Sequence, residues 1–384
     1  MPFVRTDVRE DRLAGPIHGE LLGAEHLAER AQQVAASQRL AVERAARRTP
    51  LLARLNDTRR ILEDAHRRLT ASDVDADGDG LADVGPAGEW LLDNYHVVQE
   101  HIGEVRESLP GDYYRELPEL ASGALAGYPR IYELAVTLIG HSEGRVDLHN
   151  VTGFVAAFQQ VSTLTIGELW AVPAMLRLGL IENVRRMTLR TVGRLDELEA
   201  ADQAASRIAQ AATAGDGALD KELDRFASNP PALTPIFISR FLQKLRIEGG
   251  ALPAVVRLEQ WIADEALSAE EATARSTQRL ALTQVVMANS ITSLRAIARM
   301  EWRTFIEDQS RIEAVLREDP SGFYRRMTFA TRDQYRHAVE RIARRTRRPE
   351  DAIARRAIEL ARAAEGMREK PALLPSFPPT WATT

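Results

Sequence analysis

The densest group of metal-ligating side chains in this chain is the run Asp75, Asp77, Asp79 and Asp83, with glycines at Gly78 and Gly80. Calcium takes hard oxygen ligands from carboxylates and carbonyls, gathered by a loop that must turn sharply at its sixth position. Counted as such a loop, Asp75, Asp77 and Asp79 stand at positions one, three and five, Gly80 at six, Leu81 offers its carbonyl at seven, and Asp83 stands at nine. Position twelve, where a helix-loop-helix calcium site carries a bidentate glutamate, is Pro86, so the set is incomplete or borrows Glu89. The competing reading is a solvated acidic linker between two helices.

Three other constellations invite chemistry and fit it less well. Gly140-His141-Ser142-Glu143-Gly144 has the spacing of a nucleophile elbow, but that device needs a parallel sheet behind the serine. Tyr132, Val136 and Ile139 before it recur at helical spacing, so a helix ending in a glycine turn is the better reading. His96 and His101 flank Glu100, but a zinc helix places its histidines four apart; five residues is about 140° of rotation, and the ligands diverge. The Asp-x-Asp spacing near position 75 lacks the preceding hydrophobic strand of a metal–nucleotide motif, and neither a phosphate-binding nor a dinucleotide glycine loop occurs. No residue is assigned a catalytic or cofactor-binding role.

Positioning any of these falls to helices. The 384 residues are 45% hydrophobic and 27% charged, enough to build two or three cores, and the absence of cysteine excludes disulfides and thiolate metal sites. Fifty-five acidic against 50 basic residues leave a formal charge of −5, so no global basic field exists for nucleic acid. Apolar residues recur at three and four almost throughout, in an Ala-, Leu-, Glu- and Arg-rich background. The expected fold class is all-α: an irregular multi-helix bundle or stacked helical hairpins, about a dozen helices or more, with no significant sheet. A capping-box spacing of Thr165 and Glu168 opens a long helix containing Pro173.

The expected organisation is a flexible N-terminus over 1–14, a helical domain over 15–212 carrying the acidic loop at 72–85, and a linker at 213–218 around Gly215 and Gly217. A second helical subdomain follows over 219–366, ending in a basic helical pair, then a proline-rich irregular tail over 367–384. Residues 321–370 hold 14 basic against 7 acidic side chains, and the Arg-rich segment 336–356 is a candidate contact for an anionic partner or membrane surface. Without interleaved aromatics, nucleic acid is disfavoured against a solvated arginine face. The charged N-terminus has no apolar signal segment, and the uncharged run Leu280 to Leu294 is short of the roughly 18 to 20 residues of a membrane span. A cytoplasmic location is expected.

Several stretches, in order along the chain, resemble the N-terminal region of bacterial cyclic β-1,2-glucan synthases. They are Gly15 to Leu27, Glu89 to His101, Leu109-Pro110-Gly111-Asp112-Tyr113-Tyr114, Leu125-Ala126-Gly127-Tyr128-Pro129, Leu164-Thr165-Ile166-Gly167-Glu168-Leu169-Trp170, and Phe329 to Glu340. The likeness covers residues 12 to 362. It implies a non-catalytic helical scaffold preceding a membrane glycosyltransferase that polymerises glucose from UDP-glucose, with that glycosyltransferase region as partner in cis or in trans. It also implies a place at the inner face of the inner membrane. No catalytic residue is carried over. The acidic loop reads as an insertion into the family pattern, and the proline-rich end departs from it, as expected of a truncated or fragment form. The alternative is a free-standing helical binding module responsive to calcium or to an anion, with Trp90, Tyr95, Tyr113, Tyr114, Tyr128, Trp170 and Trp302 anchoring its packing in either case.

If the acidic run binds calcium, millimolar calcium raises the melting temperature relative to EDTA, since an ion bound only to the folded state adds about 2.7 kcal/mol at a hundredfold excess over Kd. Asp77→Ala removes that difference. Equal melting temperatures for both proteins in both conditions would leave a solvated linker.

Overall fold

The computed structural model describes residues 19–41, 49–74, 80–229, 231–249 and 269–368. Among these residues the fold is all-α, with fifteen helices and no strand; the extended pairings are isolated bridges, Leu40 with Leu120 and Glu119 with Pro129. The helices are α1 (Ala24–Ser37), α2 (Pro50–Val74), α3 (Gly80–Ser108), α4 (Gly111–Tyr114), α5 (Arg130–His141) and α6 (Leu148–Val161). They continue with α7 (Ile166–Ala214), α8 (Asp216–Ser228), α9 (Pro235–Gly249), α10 (Ala269–Arg299), α11 (Trp302–Gln309) and α12 (Arg311–Leu316). The last are α13 (Phe323–Arg326), α14 (Phe329–Thr346) and α15 (Glu350–Arg368).

Two compact units divide the chain. One comprises Met1–Leu27, Gln38–Val151 and Pro173–Met300; the other comprises Ala28–Ser37, Thr152–Val172 and Glu301–Thr384. In the first, α2 and α10 both pack on α3, which turns Leu91, Val98, Ile102 and Val105 inward. The spacing of these four residues is the helical stripe that the sequence displays. The middle of α7 is apolar on most sides, with Met175, Leu176, Leu180, Ile181, Val184 and Met187 all buried, as a helix inside a core must be.

In the second unit α15 packs on both α12 and α14. Here α7 opens with a reciprocal capping box: the Glu168 N–H donates to Thr165 Oγ1 at 3.2 Å, and the Thr165 N–H donates to Glu168 Oε2 at 2.9 Å. Thr328 caps α14 in the same manner, accepting from the Thr331 N–H at 3.3 Å.

Two expectations are modified, and one helix boundary is set by a cap. The acidic stretch was expected to run as a loop to 85, but the backbone is helical from Gly80, and Gly85 breaks that helix with φ 69° and ψ 165°. Residues 213–218 hold a turn rather than an open linker: α7 runs to Ala214, Gly215 reverses the chain at φ 115°, and α8 starts at Asp216. The physical reason is a core that spans the turn. Ala201, Ala204, Ala205 and Ile208 of α7 pack with Phe226 of α8 and with Phe237, Phe241 and Leu245 of α9. Lastly, the helix begun at Trp302 stops at Gln309, because Ser310 leaves the helical region and caps α12. The N-terminus 1–14, residues 250–268 of the expected second subdomain and the tail from 369 lie outside the described residues.

The aromatic rings of Phe226, Phe237 and Phe241 stack, with centroids 5.3 and 5.7 Å apart for the two pairs sharing Phe241. Phe241→Ala therefore removes the middle ring of a closed cluster and is expected to cost about 3–5 kcal/mol, read as a lower denaturant midpoint. Ile247→Ala, on the exposed side of the same helix, is expected to change stability by no more than about 0.5 kcal/mol. Equal effects would mean that this cluster does not hold α7, α8 and α9 together.

Candidate functional site

The Arg-rich segment 336–356 is the candidate site whose side chains the structure describes in full, and it is divided between an inward and an outward set. Arg336 faces inward. Its guanidinium is fully buried, donates to Glu313 Oε2 at 2.6 Å and to Asp333 Oδ1 at 3.0 Å, and lies 4.9 Å from the centroid of the Phe329 ring. Glu313 also accepts from Arg317 Nε at 2.8 Å and from the Tyr324 hydroxyl at 2.7 Å. Burial alone would raise the pKa of this carboxyl, but these donors and the Arg336 charge outweigh that and hold it below its ordinary value. Beside it Arg332 donates to Glu307 Oε1 at 2.6 Å.

This network fixes the start of α14 against α12. Its fixed geometry matters because removing one member of a buried ion pair typically costs about 3–5 kcal/mol through the charge left behind.

The outward set begins one turn later. Arg344 pairs with Glu340 at 2.5 Å, Arg356 with Glu359 at 2.9 Å, and Arg355 with Asp351. Arg341, Arg345, Arg347 and Arg348 are exposed and have no carboxylate partner among the described residues. Arg347 ends α14 in the left-handed region at φ 54°, and Pro349 follows before α15 begins at Glu350, so the four arginines cluster at one helix end. A basic cluster at a helix C-terminus also complements the partial negative charge there.

Glu350 is the one strongly perturbed acid of this region. Its carboxylate accepts from the Ile166 N–H at 3.0 Å, yet burial, with Glu340 and Glu168 nearby, pushes its pKa up to about 7.

The other sequence candidates resolve differently. Asp75, Asp77 and Asp79 lie outside the described residues; Leu81 and Asp83 fall in the first turns of α3, with their side chains outside the description. Among the described residues, no group of three or more histidine, aspartate or glutamate side chains is placed to hold a metal. Ser142 caps α5, and its hydroxyl faces the Ile139 carbonyl at 3.4 Å, so the Gly140 to Gly144 stretch is a helix end as expected. Glu143 and Gly144 turn the chain with φ of 50° and 78°. Their carbonyls accept from Asn289 Nδ2 at 3.1 Å and from Ser293 Oγ at 2.8 Å, both on α10. His96 is exposed, whereas His101 is buried; Arg177 Nε donates to His101 Nδ1 at 3.1 Å. Burial lowers the His101 pKa, consistent with a neutral ring accepting that bond. One helix, Thr277–Arg299, is long and apolar enough by length and hydropathy to cross a membrane, and 44% of its most apolar window is buried in the protein.

An all-α chain with a charged helical end is the class that the described fold and site define. Comparison with known proteins adds a relative. The chain is similar to the cyclic beta-(1,2)-glucan synthase NdvB of Rhizobium meliloti (strain 1021), at 35% identity over 301 residues, which is 78% of this chain and 10% of that protein. The resemblance read from the sequence is thus borne out, and the chain is related to a glucan synthase while spanning about a tenth of its relative's length. No family model matches the chain.

Glu350 generates a pH test. A folded pKa of about 7, against the ordinary value of 4.5, means the folded state holds this proton more tightly than the unfolded chain. That contribution to stability is complete below pH 4.5 and is lost as pH rises through about 7. Glu350→Gln keeps an acceptor for the Ile166 N–H and removes the ionisation, so it is expected to gain on wild type progressively between pH 5 and pH 8 in denaturant titrations. A difference between the two proteins that stays constant over that range would show Glu350 ionising freely.

Proposed function

We propose that this chain is a non-catalytic helical scaffold of a cyclic β-1,2-glucan synthase system, docking onto a membrane glycosyltransferase region at the cytoplasmic face of the membrane. The observation that carries it is the 35% identity over 301 residues to a glucan synthase of which those residues are only a tenth. A segment that small leaves most of the relative's length for the polymerising machinery. The all-α fold supports the same reading, because handling a nucleotide-sugar commonly uses the edge of a parallel sheet, and the described residues contain no strand.

The docking contact is assigned to Arg341, Arg345, Arg347 and Arg348. Exposed guanidiniums without carboxylate partners form charge-assisted, bidentate hydrogen bonds to carboxylates or phosphates more readily than arginines already paired. The buried Arg336 and Glu313 pair fixes the helix that presents them.

Two measurements test the proposal. The purified chain with radiolabelled UDP-glucose is expected to yield no β-1,2-linked glucan; product would overturn the scaffold reading. The detergent-solubilised glycosyltransferase region of the Rhizobium meliloti relative is expected to be retained on the immobilised chain, with retention reduced at least severalfold by the combined substitution of Arg341, Arg345, Arg347 and Arg348 with glutamine. Absence of retention by wild type would remove the docking role, and undiminished retention by the variant would move the contact elsewhere.

A further inference from the structure

Helix α7 carries a ladder at four-residue spacing, Glu182, Arg186, Arg190 and Arg194, all within the first compact unit. Residues four apart on a helix share a face, and like charges there repel unless something neutralises them. Only the first rung is neutralised from the ladder itself: Arg186 Nε donates to Glu182 Oε1 at 2.8 Å. That carboxylate is already committed, since it also holds Arg54 through contacts of 2.6 and 3.0 Å. Arg190 and Arg194 have no ion pair or hydrogen bond to any described group.

Both arginines line one cleft of about 290 Å³. Its opposite walls are the Val84 to Ala87 turn of α3 and the start of α10 around Thr277, Leu280 and Thr283. Among the described residues, no aspartate or glutamate lines it. Inside, Arg190 Nη1 and Arg194 Nε are buried from solvent and find no acceptor. A buried N–H donor left unsatisfied costs about 1–3 kcal/mol, and more on a charged group, so two in one cleft call for an acceptor that the described residues do not supply. The Thr191 and Thr283 hydroxyls cannot donate elsewhere without giving up their bonds to the Met187 and Arg279 carbonyls at 3.0 and 2.7 Å.

The backbone is also shaped for close approach. Gly85 takes φ 69°, a conformation that side-chain-bearing residues rarely adopt, and a Cβ there would come within 2.6 Å of Arg194 Nη1. The glycine lets the guanidinium lie against the turn and keeps the cleft open. Arg279 and Arg186 add positive potential around Arg190, whose pKa is lowered by burial first and by these two charges second.

We propose that this cleft between α3, α7 and α10 is a binding site for a phosphate-bearing anion, held by the unsatisfied N–H groups of Arg190 and Arg194. The volume lies at the lower end of small-molecule sites, enough for a phosphoryl group and a few more atoms. Arginine is the side chain suited to it, because its planar fork donates two parallel hydrogen bonds to phosphate oxygens. The site is remote in sequence from the Arg341 to Arg348 cluster and does not depend on the scaffold reading.

The test uses the full chain at constant ionic strength. Inorganic phosphate and inorganic pyrophosphate are titrated against chloride, read by calorimetry and by melting temperature. Wild type is expected to bind and to gain thermal stability, and Arg190→Gln and Arg194→Gln each to weaken binding by about tenfold or more, the effect of losing one charge-assisted bond. Arg356→Gln, at an exposed ion pair of the other unit, is expected to bind as wild type does. Vesicles of phosphatidylglycerol, with phosphatidylcholine as control, distinguish a lipid headgroup from a soluble phosphate: retention lost in Arg190→Gln would assign the phosphate to lipid. Binding unchanged in both cleft variants, or absent from every phosphate source, would overturn the proposal. So would binding that appears only when Asp75, Asp77, Asp79 and Asp83 are replaced by asparagine, since the chain's own carboxylates would then satisfy the arginines.

Discussion

The constraint on which this structure turns is the neutralisation of arginine inside helical packing. Lysine occurs only at positions 221, 244 and 370, so nearly every cation here is a planar guanidinium. Such a group can be buried when a carboxylate meets it with good geometry. Each compact unit contains a buried carboxylate that does this for several arginines at once. Glu313 gathers Arg317 and Arg336 and takes the Tyr324 hydroxyl as well. Glu182 gathers Arg54 and Arg186, with Arg185 at 3.4 Å. In both cases burial would raise the carboxyl pKa and the surrounding donors reverse that, so both acids stay ionised across the neutral range. Ion pairs of this kind are weak evidence for stability in themselves, but they are strict about geometry. They set which helix faces meet.

What remains after these two centres is a surplus of arginine, and its distribution is informative. Part of it goes to solvent at the end of α14, where exposed guanidiniums keep their hydration. Part stays in the cleft beside Gly85, where Arg190 and Arg194 are half-buried and some of their N–H groups have no acceptor. Hydration satisfies the first set and not the second. The two arginine groups therefore differ in what they demand of a partner: the surface cluster tolerates being alone, and the cleft does not.

How much of this was legible in the sequence depends on the range of the interaction concerned. The all-α class, the Thr165 and Glu168 capping box, the helical end at Ser142 and the resemblance to a glucan synthase all rest on local spacing, and local spacing is what a sequence displays directly. The turn at Gly215 was legible as a break but not as a packed one. Its closure depends on Phe226, Phe237 and Phe241 meeting α7 across 20 to 40 positions. The aromatic anchors show the same limit. Tyr114 is fully buried, while Tyr113, Tyr128, Trp90 and Trp170 are only partly so, and fully buried phenylalanines serve each unit instead, Phe237 and Phe241 in the first and Phe154 and Phe158 in the second. Large amphipathic rings carry a polar atom that resists full burial; phenylalanine does not. The arginine cleft was invisible for a further reason. Its ladder on α7 can be counted in the sequence, but which described residues of α3 and α10 come to face it depends on packing between distant segments.

Helix α10 shows why composition alone misleads about such an element. By length and hydropathy it qualifies as a membrane span. Its polar residues have a use that hydropathy does not register: Asn289 and Ser293 donate to the carbonyls of Glu143 and Gly144, and the Ser293 hydroxyl in turn accepts from the Val146 N–H at 2.8 Å. That turn carries two consecutive positive φ values, at Glu143 and Gly144, and leaves carbonyls pointing away from α5. A Cβ at position 144 would stand 2.9 Å from Ser290 Oγ, so glycine is required there both by the backbone angle and by the approach of α10. A serine and glycine pattern that resembles a catalytic elbow is thereby accounted for by helix termination and docking. Further back along α10, Thr283 and Thr277 line the arginine cleft. Helix α10 thus supplies hydroxyl and amide donors to the turn and, through Thr277, Leu280 and Thr283, a cleft wall that brings no carboxylate among the described side chains, which leaves Arg190 and Arg194 available to an external anion.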